Sequence, residues 1–206
     1  MKVILLNGSP HEEGCTYTAL CEVARTLKEN SVETEIVQLG KGPIRGCTAC
    51  MACRKTGRCI FEDGINGLGE KVLQADGLVI GSPVYYGGIA GGLKAALDRL
   101  FYPKHGNFAG KVGAAVVCAR RGGNVTAFDD INRFFSISSM PIVTSQYWNQ
   151  VHGSTPEEVR QDLEGMQTMR NLGRNMAWLL KSIEAAKKAG IEPPAAESGC
   201  RTNFIR

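Results

Sequence analysis

At 206 residues, with 43% hydrophobic and 21% charged side chains, the chain has the make-up of an ordinary globular protein with one sizeable core. Its net charge of +4 comes from scattered lysines and arginines, which argues against nucleic acid and suits a small anionic ligand. No apolar run approaches the roughly 20 residues that cross a bilayer, and no small-residue cleavage site follows the apolar start MKVILLNGSP, so neither a membrane nor an export role is expected. The eight cysteines are therefore expected in a reducing cytoplasm, where disulfide staples are disfavoured.

Along the chain, KVILL (2–6) is a continuous β-branched run, as in a strand buried on both faces. Residues 16–29 carry Leu20, Val23, Ala24 and Leu27 at helical spacing. VETEIVQL (32–39) alternates like a strand nearer an edge. After a cysteine-rich loop at 46–60, residues 65–75 read as a short helix and 77–84 as a second buried strand. Then come a helix at 91–101, a strand at 111–119, a helix at 124–137 and a fifth strand at 141–147. The final helix is the best marked: Thr155 as N-cap, Pro156 at the first turn and Glu158 three residues after the cap. Val159, Leu163, Met166, Leu172, Met176, Leu179 and Ile183 form its apolar stripe, for the core or a subunit contact, until Gly190 and Pro193 stop it. Strands alternating with helices predict an α/β protein with a mostly parallel sheet covered on both faces. With no linker or repeat in sight, residues 1–206 read as one domain, with a C-terminal helix and tail at 155–206.

In such a sheet, ligands bind past the carboxyl ends of the strands. Three loops stand there. NGSPHEEGCTYTAL (7–20) combines Gly8 and Gly14 with the hydroxyls of Ser9, Thr16 and Thr18 ahead of a helix N-terminus, a setting for phosphate. It has neither the G-x-G-x-x-G pattern nor the lysine of a triphosphate loop. GSPVYYGGIAGG (81–92) offers Tyr85 and Tyr86 on thin backbone, a surface for a flat ring. CARRGGN (118–124) adds Arg120 and Arg121 beside Gly122 and Gly123 as polar donors. Each loop has a bland reading: a capped helix, packed aromatics, a solvated turn. A phosphate nest, a ring site and donors at one sheet edge are together what a flavin mononucleotide needs.

These loops, with GSPVYYGGIAGGLKAALDR, CARRGGNVTAFDDINRFFSISSMPIV, SQYWNQVHG and the terminal TNFIR, resemble the flavodoxin-like NAD(P)H-dependent FMN reductases. The resemblance implies a flavodoxin-like three-layer α/β/α sandwich with a five-stranded parallel sheet in the order 2-1-3-4-5. It also implies FMN held noncovalently and a homodimer or homotetramer. Carried over, Ser9, His11, Gly14, Cys15, Thr16 and Thr18 would meet the phosphate. Pro83, Val84, Tyr85, Tyr86 and Gly87 would line the isoalloxazine, with Arg120, Gly122 and Gly123 on its other side. His11 and Cys15 depart from the usual Arg and Asn, which would make phosphate affinity depend on pH. No side-chain acid or base is expected to be catalytic, since hydride transfer is the flavin's own chemistry.

Cys47, Cys50, Cys53 and Cys59 are spaced C-x2-C-x2-C-x5-C, so short gaps aim three thiols at one small volume. An iron–sulfur cluster, a crowded zinc site and reduced thiols without metal all remain open. The segment resembles the motif of the iron–sulfur flavoproteins, a branch of the same family with one 4Fe-4S cluster beside each FMN. KTGRCIFEDG looks more like relatives without a cluster. Arg45, Arg54, Lys55 and Arg58 would offset cluster charge. The lead expectation is electron transfer from NADH or NADPH through FMN to a small acceptor such as a quinone, nitro compound, azo compound or flavin. The alternatives are a carrier fed by ferredoxin, and a flavin-binding module without fast turnover.

Overall fold

The computed structural model describes residues 1–104, 106–197, 199, 200 and 202. Its first half runs β1 (Lys2–Asn7), α1 (Cys15–Glu29), β2 (Glu33–Gln38), α2 (Cys53–Thr56), α3 (Ile65–Leu73), β3 (Gly77–Tyr85), β4 (Gly88–Ile89) and α4 (Gly91–Phe101). The second half is β5 (Val112–Ala119), α5 (Asn124–Ile137), β6 (Gln150–His152), α6 (Pro156–Gln161) and α7 (Leu163–Lys188). Apart from Thr202, the TNFIR stretch lies outside the described residues.

Strand periodicity divides the core in two. Along β1, Val3 and Leu5 join the cluster under α1 and α7, while Ile4 and Leu6 join the one under α3, α4 and α5. Val79 and Val116 take the first side, and Leu78, Ile80, Ala115 and Val117 the second. Each of these side chains is 0% exposed, which explains why the central strands carry apolar runs through their middles. The result is a three-layer α/β/α sandwich. Five parallel strands run in the order β2-β1-β3-β5-β6, the expected flavodoxin-like order once the hairpin strand β4, antiparallel to β3, is set aside.

Two boundaries differ from expectation. The fifth strand is Gln150–His152, not 141–147. Only Ile142 bridges the sheet, with Gly113 N–H donating to Pro141 O and Val143 N–H to Gly113 O, both at 2.8 Å. The chain then leaves the sheet, and Asn149, fully buried, returns it by accepting Val117 N–H at 3.0 Å. The final helix is broken at Asp162, which leaves the helical region and recaps the chain by accepting Gly165 N–H at 2.9 Å. Leu163, read as part of the apolar stripe, is consequently exposed, whereas Val159, Leu172 and Met176 are buried against α1 and the sheet.

Candidate functional site

The first loop is built from within. Asn7, buried at the end of β1, donates its amide to His11 O (3.3 Å), Glu12 O (3.2 Å) and Gln38 Oε1 (2.6 Å), and accepts Ser9 N–H at 3.1 Å. Gln38 donates to Ser9 O at 2.7 Å, and Ser9 Oγ accepts His11 N–H at 3.1 Å. α1 then begins after Gly14 with no side-chain cap and no acidic residue in its first turn, although Glu12 and Glu13 precede it in the loop. Thr16 Oγ1 is buried without a partner. A buried polar atom of this kind costs about 1–3 kcal/mol unless something binds it, and a phosphate oxygen would. Thr18 instead donates its hydroxyl to Gly14 O at 3.1 Å. His11, Gly14 and Cys15 line an open groove of about 660 Å3 with Lys41, Ser154 and Thr155.

The second and third loops meet beside it. Gly8 N–H donates to Gly81 O at 2.9 Å, tying the first loop to β3. Tyr86 (φ 49°) and Gly87 (φ 77°), both left-handed, turn the β3–β4 hairpin. Tyr86 projects fully into solvent, and Tyr85 is about half exposed. Ser82 braces the hairpin from inside, donating to Pro83 O at 2.8 Å and accepting Ala90 N–H at 3.1 Å. Across from it, Gly123 (φ 89°) packs so closely that a Cβ there would lie 2.9 Å from both Gly87 Cα and Val84 Cγ1. Arg120 and Gly122 are exposed around this shelf. Asn124, at the start of α5, holds a buried Nδ2 with no partner. Thr16 and Asn124 thus leave unmet hydrogen-bonding capacity at two helix starts beside the predicted phosphate and ring positions, so the residues present fit FMN.

All four clustered cysteines line one cavity of about 110 Å3, with Met51, Ile60, Phe61, Arg99, Tyr102 and Pro103 among its other walls. That is room for a group of several atoms, since a single water needs only about 10–15 Å3 by the same measure. Among the described residues, no three His, Cys, Asp or Glu side chains converge tightly enough to hold a single metal ion. No side chain in 46–60 is buried, and Ala49 (φ 54°) and Met51 (φ 61°) hold left-handed backbone that costs about 1–2 kcal/mol each. A four-iron cluster fits the loop's four free thiols. Cys59 is fixed independently: Asn66 accepts its N–H and donates to its carbonyl, both at 2.9 Å, and Arg99 Nε–H donates to its Sγ at 3.2 Å. On the cavity's far wall, Arg54 donates twice to Tyr102 Oη, which donates to Met51 Sδ at 3.3 Å.

The supporting residues Asn7, Ser82, Asn124, Asn66 and Arg99 were missed by sequence reasoning. Only Arg99 carried a readable signal: a cation spaced at i+6 and i+3 from Leu93 and Ala96, on the buried face of α4. Beneath the first loop the Cys118 thiol donates to Gly153 O at 4.0 Å. Burial raises both this thiol and that of Cys15, and Cys118, which also faces any charge on Cys15, is pushed up to about 12.

Against known proteins, the family model for NADPH-dependent FMN reductase matches residues 1–154. An iron-sulfur flavoprotein of Methanocaldococcus jannaschii is 35% identical over 192 residues, spanning 89% of this chain and 100% of its own length. The iron-sulfur flavoprotein of Methanosarcina thermophila is 30% identical over 188 residues, spanning 89% and 97%. Among solved structures, RosB with its bound intermediate OHC-RP superposes with a TM-score of 0.71 at 17% identity, covering 100% of this chain and 92% of that one. A flavodoxin from the domain Archaea gives 0.62 at 13%, covering 88% and 99%. At these identities the two structures speak to the fold.

Proposed function

From the premise that the chain belongs to the NADPH-dependent FMN reductase family and is a flavin-dependent oxidoreductase, we propose that it works as an iron–sulfur flavoprotein. FMN would sit at the three loops and one 4Fe-4S cluster at Cys47, Cys50, Cys53 and Cys59. The observation that carries this reading is the single cavity walled by all four thiols, on a loop without a buried side chain. When bound, the cluster supplies one-electron and the flavin two-electron chemistry.

The rest is done by this chain's residues. The open end of α1 and the Thr16 hydroxyl receive the phosphate. Pro83, Val84, Tyr85, Tyr86 and Gly87 hold one side of the ring, and Arg120, Gly122 and Gly123 the other, with Asn124 adding a buried donor. Arg45, Arg54, Lys55 and Arg58, all exposed around the cysteine loop, form a docking face for an acidic electron carrier such as ferredoxin. A small acceptor, whether quinone, nitro compound, azo compound or flavin, would reach the ring from the solvent-facing hairpin.

A second reading, in which NADH or NADPH is the donor, is favoured by the same open shelf, where a nicotinamide would stack beside Tyr85. Assembly as a homodimer or homotetramer is part of the proposal, and the exposed Ile137, Leu163 and Trp178 support it. So is a cytoplasmic setting, which keeps the thiols available as ligands.

The test is iron, acid-labile sulfide and flavin per chain on protein purified without oxygen, followed by anaerobic reduction. About four irons and four sulfides with one FMN are expected. Reduced ferredoxin should act faster than either nicotinamide and lose that advantage as salt screens the basic face. Flavin alone, four titratable thiols and rapid oxidation of NAD(P)H would make the protein a two-electron reductase and sink the cluster assignment.

A further inference from the structure

Arg99 is a permanent cation whose side chain is only 1% exposed. A guanidinium is buried at heavy cost unless every N–H finds an acceptor. Here all five do. Nη1 donates to Asp63 Oδ2 (2.6 Å) and Arg45 O (3.0 Å), and Nη2 to Asp63 Oδ1 (2.6 Å) and Phe61 O (3.3 Å). The fifth, Nε–H, points at Cys59 Sγ at 3.2 Å. The guanidinium also lies over the Phe61 ring, 5.1 Å from its centre.

Were this only a structural ion pair, Asp63 and the two carbonyls would account for it. The donor aimed at a ligand sulfur is the part they leave unexplained. We propose that Arg99 sets the reduction potential of the cluster held by Cys59, with Asp63 as its counterweight; this rests on the cluster reading above. One added electron increases the negative charge shared by the irons and their ligand sulfurs, and no bond breaks. An N–H and a positive charge against Cys59 Sγ stabilise that state more than the oxidised one and so raise the potential. The Asp63 carboxylate, gripping the other edge of the same guanidinium, takes part of the effect away. Arg99 is thus a positioning residue, and the two partners have opposite signs.

The experiment is a potentiometric titration with dithionite as electron donor, read by cluster absorbance, on anaerobically purified wild type, Arg99→Gln and Asp63→Asn. Iron, sulfide and flavin are counted first. Arg99→Gln is expected to disfavour cluster reduction on the order of tenfold in the one-electron equilibrium constant, about 59 mV downward. Asp63→Asn, on a partly exposed side chain, should shift the potential upward by more than twofold. A cluster-loaded variant within twofold of wild type, or a shift of the wrong sign in either, overturns the inference. If Arg99→Gln fails to load, Asp63→Asn decides alone: a rise supports the role, while no change or a fall overturns it. Wild type holding flavin but no iron would instead overturn the cluster reading and the inference with it.

Discussion

Thr16 buries a hydroxyl oxygen that finds no partner among the described residues, beside an uncapped helix start. Thr16→Val should therefore weaken FMN binding by roughly 10–100-fold, the worth of about 1.5–3 kcal/mol for a hydrogen bond to a charged group. The flavin-free protein should be unchanged or slightly more stable. Fluorescence titration and urea denaturation read the two separately, and a destabilised flavin-free protein with normal FMN affinity would refute the assignment. Cys118 titrates in the opposite sense to an acid-denaturation group. The native state keeps the Cys118 proton to about pH 12, whereas the unfolded chain releases it near 8.5, so stability falls as pH rises between those values. The slope from this thiol approaches about 1.4 kcal/mol per pH unit, and Cys118→Ala should flatten urea midpoints measured from pH 8 to 11. At this scale the sequence named the loop residues it had motifs for. Asn7, Ser82, Asn66 and Asn124 were illegible because an asparagine or serine that braces a loop reads like any other in a turn.

Among elements, the second and third loops meet where Gly123 packs against Gly87 Cα and the Val84 side chain. Gly123→Ala would bring a Cβ to 2.9 Å from Gly87 Cα while holding φ at 89°. The expected cost is about 1–2 kcal/mol, with FMN affinity falling at least tenfold as the loops part. The α6–α7 joint depends on Asp162, which accepts Gly165 N–H at 2.9 Å and His152 N–H at 2.7 Å. Asp162→Ala should cost about 1–2 kcal/mol in urea unfolding without changing flavin affinity. That joint hid inside an apolar stripe whose helical period runs through it, so periodicity read one helix where capping chemistry makes two. The fifth strand slipped for a related reason: 141–147 has strand composition, but its pairing stops at Val143 and resumes only when Asn149 restores it. The long central strands were legible because both of their faces are buried and their middle positions are apolar.

Across the whole molecule, the flavin loops grow from the ends of core strands, whereas 46–60 hangs outside both cores. FMN at a hundredfold excess over its dissociation constant should add about 2.7 kcal/mol and raise the melting temperature by roughly 5–10 °C. Stripping iron with a chelator should move the same midpoint by no more than about 2–4 °C, yet expose the loop to trypsin at Arg54, Lys55 and Arg58. Equal protection of the loop with and without iron would contradict that picture. The separation has an evolutionary reading. Because no side chain of 46–60 is buried, substitutions there would be screened by the proposed cluster and hardly by folding. On the proposed reading, a lineage on this scaffold could acquire or discard a metal centre by editing fifteen residues while leaving the flavin loops untouched.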